Sequence, residues 1–326
     1  FRRLSEQGLE LRDVSEEELE GIGRAAVEEV SSEYNGSIMN ASARNVFLKE
    51  KVGRITRRTL WALRTQSRKG SYRTLSCELP FRLRDEGLEL HGRIDRVDVC
   101  DDSIDTYVRV IDYKSGRTRF DLSLIYHGLQ MQLITYMDAA IGEARRRGKG
   151  GRVLPAGLYY YNIDDPVVSY ETAGEGDGAE DRAKDGILSE LRMNGLTNSD
   201  PDILKSLDED LGPESTATSG VVPVRLKEGS IVPSSSMVCG TEGFLRLMER
   251  TEKRIKDDTR DILSGDIDIR PYRLGGRTGC DYCPYHSVCG FDTSLPGYGY
   301  RRLGSISPDR LRAELFGENG EGHAVD

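Results

Sequence analysis

Residues 92–116 read GRIDRVDVCDDSIDTYVRVIDYKSG, and this stretch decides the fold. Ile94 and Val97 mark one strand, Val108, Val110 and Ile111 another, and the polar cluster from Asp101 to Asp105 marks the turn between them. In a strand, positions i and i+2 face the same side, so Asp112 and Lys114 project together while Tyr113 turns away. With Asp95 on the adjacent strand, two carboxylates and one ammonium converge. Two hard oxygen donors with space for waters and a phosphate suit Mg²⁺. A cation there could neutralise a phosphate and activate water while Lys114 orients that water or offsets developing charge, which is the chemistry of phosphodiester hydrolysis. Asp and Lys alternating on a strand commonly form no more than a solvated ion pair. The apolar company argues otherwise, because these strands should be buried, where unmatched charges are expensive.

Working outward, LSCELPFRLRD from Leu75 reads as a further strand, so three consecutive strands suggest an antiparallel meander. Upstream, residues 15–35 open with a Ser-x-x-Glu capping signature at Ser15 and Glu18 and keep helical spacing. A second helix is expected from about 42 to 69. Downstream, DLSLIYHGLQMQLITYMDAAIGEARRR predicts one long amphipathic helix capped by Asp121, VLPAGLYYYNI a strand, and residues 239–264 another helix. Helices, three strands, a helix and a strand give an α/β sandwich core.

The 326 residues are 37% hydrophobic and 31% charged, enough for a sizeable core in one large domain or two small ones. No run approaches eighteen apolar residues and the start lacks a secretory signal, so a cytoplasmic location is expected. Phe1, rather than Met, suggests a piece of a longer protein. The formal charge of −9 argues against a nucleic-acid surface only until it is mapped. Residues 171–214 hold 13 acids against four bases, which accounts for the whole excess, and they read as a mobile acidic insertion with short helices near 180–194 and 200–211. Residues 54–73 carry seven bases and no acid. Arg54, Arg57, Arg58, Arg64, Arg68 and Lys69 there are candidate contacts to a polyanion, although a solvated basic helix face would read the same.

Two further groups carry chemistry. Gln132 and Tyr136 lie four apart on one helical face, where an amide and a phenol can hydrogen-bond catalytic groups or nucleic-acid backbone. Cys280, Cys283 and Cys289 crowd into GCDYCPYHSVCG, a spacing that suits Fe–S or Zn ligation better than a disulfide. Either centre normally takes four ligands. Cys77, Cys100 and Cys239 read as small buried residues.

GRIDRVD, IDYKSG, GLQMQLITY, PAGLYYYNIDDP and CDYCPYHSVCGFD, in this order and spacing, resemble the C-terminal nuclease domain of the AddB family, the B subunits of the bacterial ATP-dependent helicase/deoxyribonuclease. The resemblance covers most of the chain and is weakest over 171–236. It implies a PD-(D/E)XK nuclease core of the RecB type, a mixed central sheet flanked by helices with a C-terminal cysteine-rich loop. It implies that Asp95, Asp112 and the Tyr113 carbonyl bind Mg²⁺, with Lys114 as the catalytic lysine and Gln132 and Tyr136 as an accessory motif. Cys280, Cys283 and Cys289 would be three ligands of a 4Fe-4S cluster, whose fourth cysteine, like a metal-binding histidine, lies upstream of residue 1 in the family. The corresponding organisation is a helical part at 1–72, the nuclease core at 73–170, the acidic insertion at 171–220, a helix and cysteine loop at 221–292, and a tail at 293–326. The implied function is Mg-dependent DNA exonuclease activity, chiefly on single strands, in a heterodimer whose other member is the helicase-nuclease A subunit and which processes double-strand ends for recombinational repair. Two alternatives remain, a non-catalytic Fe–S or Zn scaffold that binds DNA and a stand-alone nuclease of the Cas4 type.

Overall fold

The computed structural model describes residues 1–85, 87–148, 150–167 and 178–317. The chain divides into two compact units, one formed by residues 1–81, 92–120 and 136–241 and the other by 82–91, 121–135 and 242 onward. Strands β1 (Arg73–Asp85), β2 (Leu88–Asp101), β3 (Thr106–Lys114), β4 (Val153–Asn162) and β5 (Asn194–Asn198) are followed by the short β6 (Ala217–Thr218), β7 (Arg225–Lys227), β8 (Ser230–Ile231) and β9 (Val238–Cys239). The central sheet runs β1-β2-β3-β4-β5-β9, and β6-β7-β8 make a small sheet beside it in sequence.

The central sheet is mixed. β2 and β3 are antiparallel, with Arg96 opposite Ile111 and Asp98 opposite Arg109. β3 and β4 are parallel, with Asp112 opposite Tyr160, and parallel neighbours need a crossover. The segment that contains the helix Gln132–Arg147 supplies it. On one face, Ile111, Tyr159 and Tyr161 join Ala62, Leu63, Leu19 and Tyr72 in the main core cluster. Val97, Val110 and Leu158, which alternate to the other face, are also fully buried, as are Met137 and Ala140 of the crossover helix.

Helices α1 (Arg2–Glu6), α2 (Glu16–Glu33) and α3 (Ala43–Lys69) precede the sheet. The capping box is present at the head of α2, where Ser15 accepts from the Glu18 amide and the Glu18 carboxylate accepts from the Ser15 amide. The region expected as one helix from Asp121 is two, α4 (Leu122–Tyr126) and α5 (Gln132–Arg147). Asp121 does cap α4, accepting from the Ser123 and Leu124 amides. Gly128 ends it at φ +74, and the Leu129 amide returns to the Leu124 carbonyl at 2.7 Å.

The acidic segment also differs from expectation. Helices α6 (Ala179–Glu190) and α7 (Pro201–Leu207) fall where short helices were read. Between them, however, β5 is a strand of the central sheet, with Leu196, Thr197 and Asn198 wholly buried. Asn198 is satisfied there by donating to the Pro155 carbonyl and Thr241 Oγ1. Residues 171–177 of the expected insertion lie outside the described residues, as do 318–326 of the expected tail. In the second unit, α8 (Thr241–Leu263) leads to a three-stranded sheet ordered β11-β10-β12, made of β10 (Tyr272–Leu274), β11 (Arg277–Thr278) and β12 (Arg301–Leu303). The helix α9 (His286–Cys289) closes the cysteine loop, and α10 (Pro308–Phe316) follows β12.

Candidate active site

The β2–β3 ladder carries the Arg96–Ile111 pairing, and one step beyond it come Asp95 and Asp112. Directly opposed residues of an antiparallel pair face the same side. Asp95 is half-buried, and its Oδ2 accepts the Tyr113 amide at 2.7 Å, which draws this carboxylate to the backbone of the residue after Asp112. Asp112 is 3% exposed. Lys114 Nζ stands 2.6 Å from Asp112 Oδ2, while that oxygen accepts no aligned hydrogen bond. Burial first, and then the neighbouring carboxylates Asp112 and Glu78, push the Asp95 carboxyl above its ordinary range, against the Tyr113 amide and Lys114. A carboxylate whose ionisation is opposed by burial and by a neighbouring acid is a site for a positive charge.

Around this group, Tyr160 lies opposite Asp112 in register, and its ring receives Lys114 Nζ at 5.5 Å from the centroid. Burial, then Asp112 and Tyr136, push the Tyr160 phenol upward. Tyr136 is buried and packs edge-on against Phe81 at 5.4 Å. Gln132 opens α5 in the second unit, one helical turn before Tyr136. The segment after Lys114 is tied down by Asn162, which bonds both the Thr118 amide and its carbonyl, and by Asn194, which accepts from the Phe120 amide.

A cavity of about 560 Å³ opens on the side of α1–α3, with Asp95, Glu78, Tyr113, Leu19 and Ile22 in its wall but neither Asp112 nor Lys114. Glu78 was not singled out from the sequence. It sits within β1 at φ +52, a conformation uncommon for a residue with a side chain, and pairs with Arg93 at 3.4 Å. Also unforeseen is a buried ionic group on the face of β2 and β3 away from Asp112, made of Arg96, Asp98 and Arg109, although two of its members stand inside GRIDRVD. Burial pushes Asp98 up, but Arg96 and then Arg109 outweigh it and hold its carboxyl low.

The six candidate basic residues of α3 are engaged within the chain. Arg54 and Arg58 pair with Asp165, Arg57 with Glu20 and Lys69 with Asp210. Arg64 and Arg68 donate to the Val14 and Arg12 carbonyls. Cys280, Cys283 and Cys289 are half-buried free thiols, and the Cys283 amide donates to the Cys280 carbonyl at 3.2 Å. Among the described residues, no three His, Cys, Asp or Glu side chains stand together as a complete metal-binding group. The cysteine trio is therefore not drawn together around a single ion. The acids fit a divalent ion better, since Mg²⁺ asks for only one or two carboxylates besides carbonyl, water and phosphate oxygens.

A mixed central sheet flanked by helices defines the class, and the chain belongs to the PD-(D/E)XK nuclease superfamily, which matches residues 2–290. Membership implies a divalent metal ion. The chain is similar to the B subunit of the ATP-dependent helicase/deoxyribonuclease of Alkaliphilus oremlandii, 31% identical over 98% of this chain. The proteins of the same name from Lachnoclostridium phytofermentans and Moorella thermoacetica are 32% and 33% identical, again over 98% of the chain. The chain spans 28% of the length of each of these relatives. No helix among the described residues is long and apolar enough to cross a membrane.

Proposed function

We propose that this chain is the nuclease portion of the B subunit of a helicase–nuclease and hydrolyses phosphodiester bonds of DNA, chiefly in single strands exposed by its helicase partner, the A subunit. The work of the complex would be the processing of double-strand ends for recombinational repair. The observation that carries the reading is buried Asp112, paired with the partly exposed Lys114, beside Asp95, whose carboxylate is fixed on the Tyr113 amide.

Asp95, Asp112 and the Tyr113 carbonyl would hold Mg²⁺. Bound there, the ion would supply charge neutralisation at the phosphate and a lowered pKa for water. The chain's own groups do the rest. Asp112, held in a buried strand, cannot swing away from the phosphate position. Lys114, whose ammonium stands at Asp112, would orient the attacking water or offset charge on the phosphate. Tyr136, whose phenol acts on that of Tyr160, would be one member of the accessory motif, and Gln132, one turn before it on α5, the other. None of these groups reads a base edge, so sequence should matter little.

Arg54 and Arg57, both exposed, could exchange their carboxylate partners for backbone phosphates, an effect that added salt would weaken. Cys280, Cys283 and Cys289 would give three thiolates to a 4Fe-4S cluster, which takes a fourth ligand besides. The test is metal-dependent digestion of labelled single-stranded DNA by the full-length complex. Asp112→Ala and Lys114→Ala should each abolish it without unfolding the protein, and wild-type-like cleavage by either purified variant refutes the assignment.

A further inference from the structure

Behind the two acids, on the other face of the same strand pair, lies an ionic group that the proposed chemistry does not use. Arg96, Asp98 and Arg109 are 2%, 0% and 2% exposed. Arg96 Nε donates to Asp98 Oδ1 at 2.6 Å, and Arg109 Nε donates to Asp98 Oδ2 at 2.9 Å. One carboxylate thus bridges two guanidiniums, one on its own strand and one directly opposite on β3. The guanidiniums are further covered by rings, Arg109 by Tyr72 at 4.6 Å and Arg96 by Phe1 at 4.7 Å. Arg96 also donates to the Tyr113 hydroxyl at 3.4 Å.

Stability alone does not account for such a group. Burying three charges is expensive, and apolar residues of similar volume often serve as well or better. What the group adds is register. Slipping β2 by one residue against β3 would place Asp98 opposite Val108 or Val110 and strand the Arg109 guanidinium without its carboxylate, while Arg96, on the same strand as Asp98, would move with it. The same slip would send Asp95 and Asp112 to opposite faces. The link to the site is direct, since the Tyr113 that Arg96 holds by its hydroxyl is the residue whose amide fixes Asp95.

We infer that Arg96, Asp98 and Arg109 are positioning residues that clamp β2 to β3 and hold Tyr113, so that Asp95 and Asp112 present a preformed pair to a divalent cation. The inference rests on the nuclease reading and names the part of the molecule that sets its metal affinity. Partners that orient metal ligands typically change metal affinity or activity by about 10–100-fold when removed.

The experiment is a Mg²⁺ titration of the full-length complex carrying Asp98→Asn, Arg96→Lys or Tyr113→Phe, read by cleavage of single-stranded DNA and, separately, by the rise in melting temperature on adding Mg²⁺. The half-saturating Mg²⁺ concentration should rise about tenfold or more in both readouts, with the maximal rate of Arg96→Lys falling far less than its metal affinity. A group that serves only folding would lower the metal-free melting temperature and leave the Mg²⁺ midpoint where it was, and that result overturns the inference. Should Asp98→Asn fail to fold, Arg96→Lys and Tyr113→Phe decide in the same way. Asp112→Ala separates the two readings. If it abolishes cleavage while the clamp variants keep their Mg²⁺ midpoint, the clamp alone is wrong, and if it cleaves normally, both readings fall.

Discussion

Lys114 reaches back along its own strand to Asp112, its Nζ 2.6 Å from Oδ2, with the carboxylate side chain 4% exposed and that of the lysine 29%. In the metal-free protein the ammonium is therefore the main neutraliser of a buried negative charge. Lys114→Met should cost about 1–3 kcal/mol of stability by leaving that carboxylate without its partner, as well as ending cleavage. A divalent cation should return most of the loss, because it takes the position the ammonium vacates and stabilises by mass action. Asp112→Asn should do the reverse, with little change in the metal-free protein but no gain from added cation. Urea denaturation with and without Ca²⁺ checks both. An equal response of the two variants to Ca²⁺ would separate the cation from this pair.

Asp98 sets the behaviour in acid. Its carboxyl is held low by Arg96 and Arg109 despite burial. A depressed folded-state value contributes stability that is present above the unfolded carboxyl's value of about 3.9 and is lost as pH falls through the folded one. Stability should accordingly drop steeply below about pH 4. Asp98→Asn should flatten that acid limb while costing about 3–5 kcal/mol at neutral pH, because it leaves two buried guanidiniums without their anion. Urea midpoints measured between about pH 3 and 7 test it. An unchanged acid limb would show that other carboxylates dominate there.

How far the sequence revealed this molecule can be judged from particular residues. Strand alternation at Asp112 and Lys114 is a local rule, and the structure places both on one face with Asp95 opposite. The Ser15–Glu18 box likewise needs only four residues to be read. The break at Gly128 escaped because the apolar spacing continues across it, and only a left-handed backbone interrupts the helix. β5 escaped because Asn194–Asn198 has a single large apolar residue, Leu196, in acidic surroundings, and its burial depends on partners distant in sequence. Arg96, Asp98 and Arg109 escaped for a related reason. A charged residue on a strand reads as solvent-facing unless its counter-ion on the neighbouring strand is known.

The cysteine loop gives a prediction about composition. Three thiols cannot complete the coordination of a four-iron cluster, and cluster binding is coupled to folding of its loop. The 326-residue chain reconstituted with iron and sulfide should hold less than a full complement, and residues 271–292 should be readily cleaved by protease. The full-length protein should hold the cluster and lose it on Cys283→Ser. Iron and sulfide analysis with visible absorption decides. Four irons per chain in the 326-residue protein would mean that the fourth ligand lies within it.

Gly195 ties the acidic segment to the chemistry. It stands opposite Tyr159 on β4, and a Cβ added there would land on the Leu158 carbonyl, with the Tyr159 Cα close behind. Backbone cannot move aside as a flexible side chain does, so Gly195→Ala must push β5 away from β4 at a cost of about 2–3 kcal/mol. The neighbouring Asn194 accepts the Phe120 amide at 2.6 Å and so anchors the segment that follows Lys114. Displacing β5 should therefore slow cleavage as well as lower the melting temperature, although Gly195 faces no substrate. Gly142, on an open stretch of α5 where a Cβ meets nothing, is the matched control, since Gly142→Ala should add up to about 1 kcal/mol through helix propensity and leave cleavage alone. If Gly195→Ala were as harmless as Gly142→Ala, β5 would be a dispensable insertion rather than a strand of the sheet that holds the site.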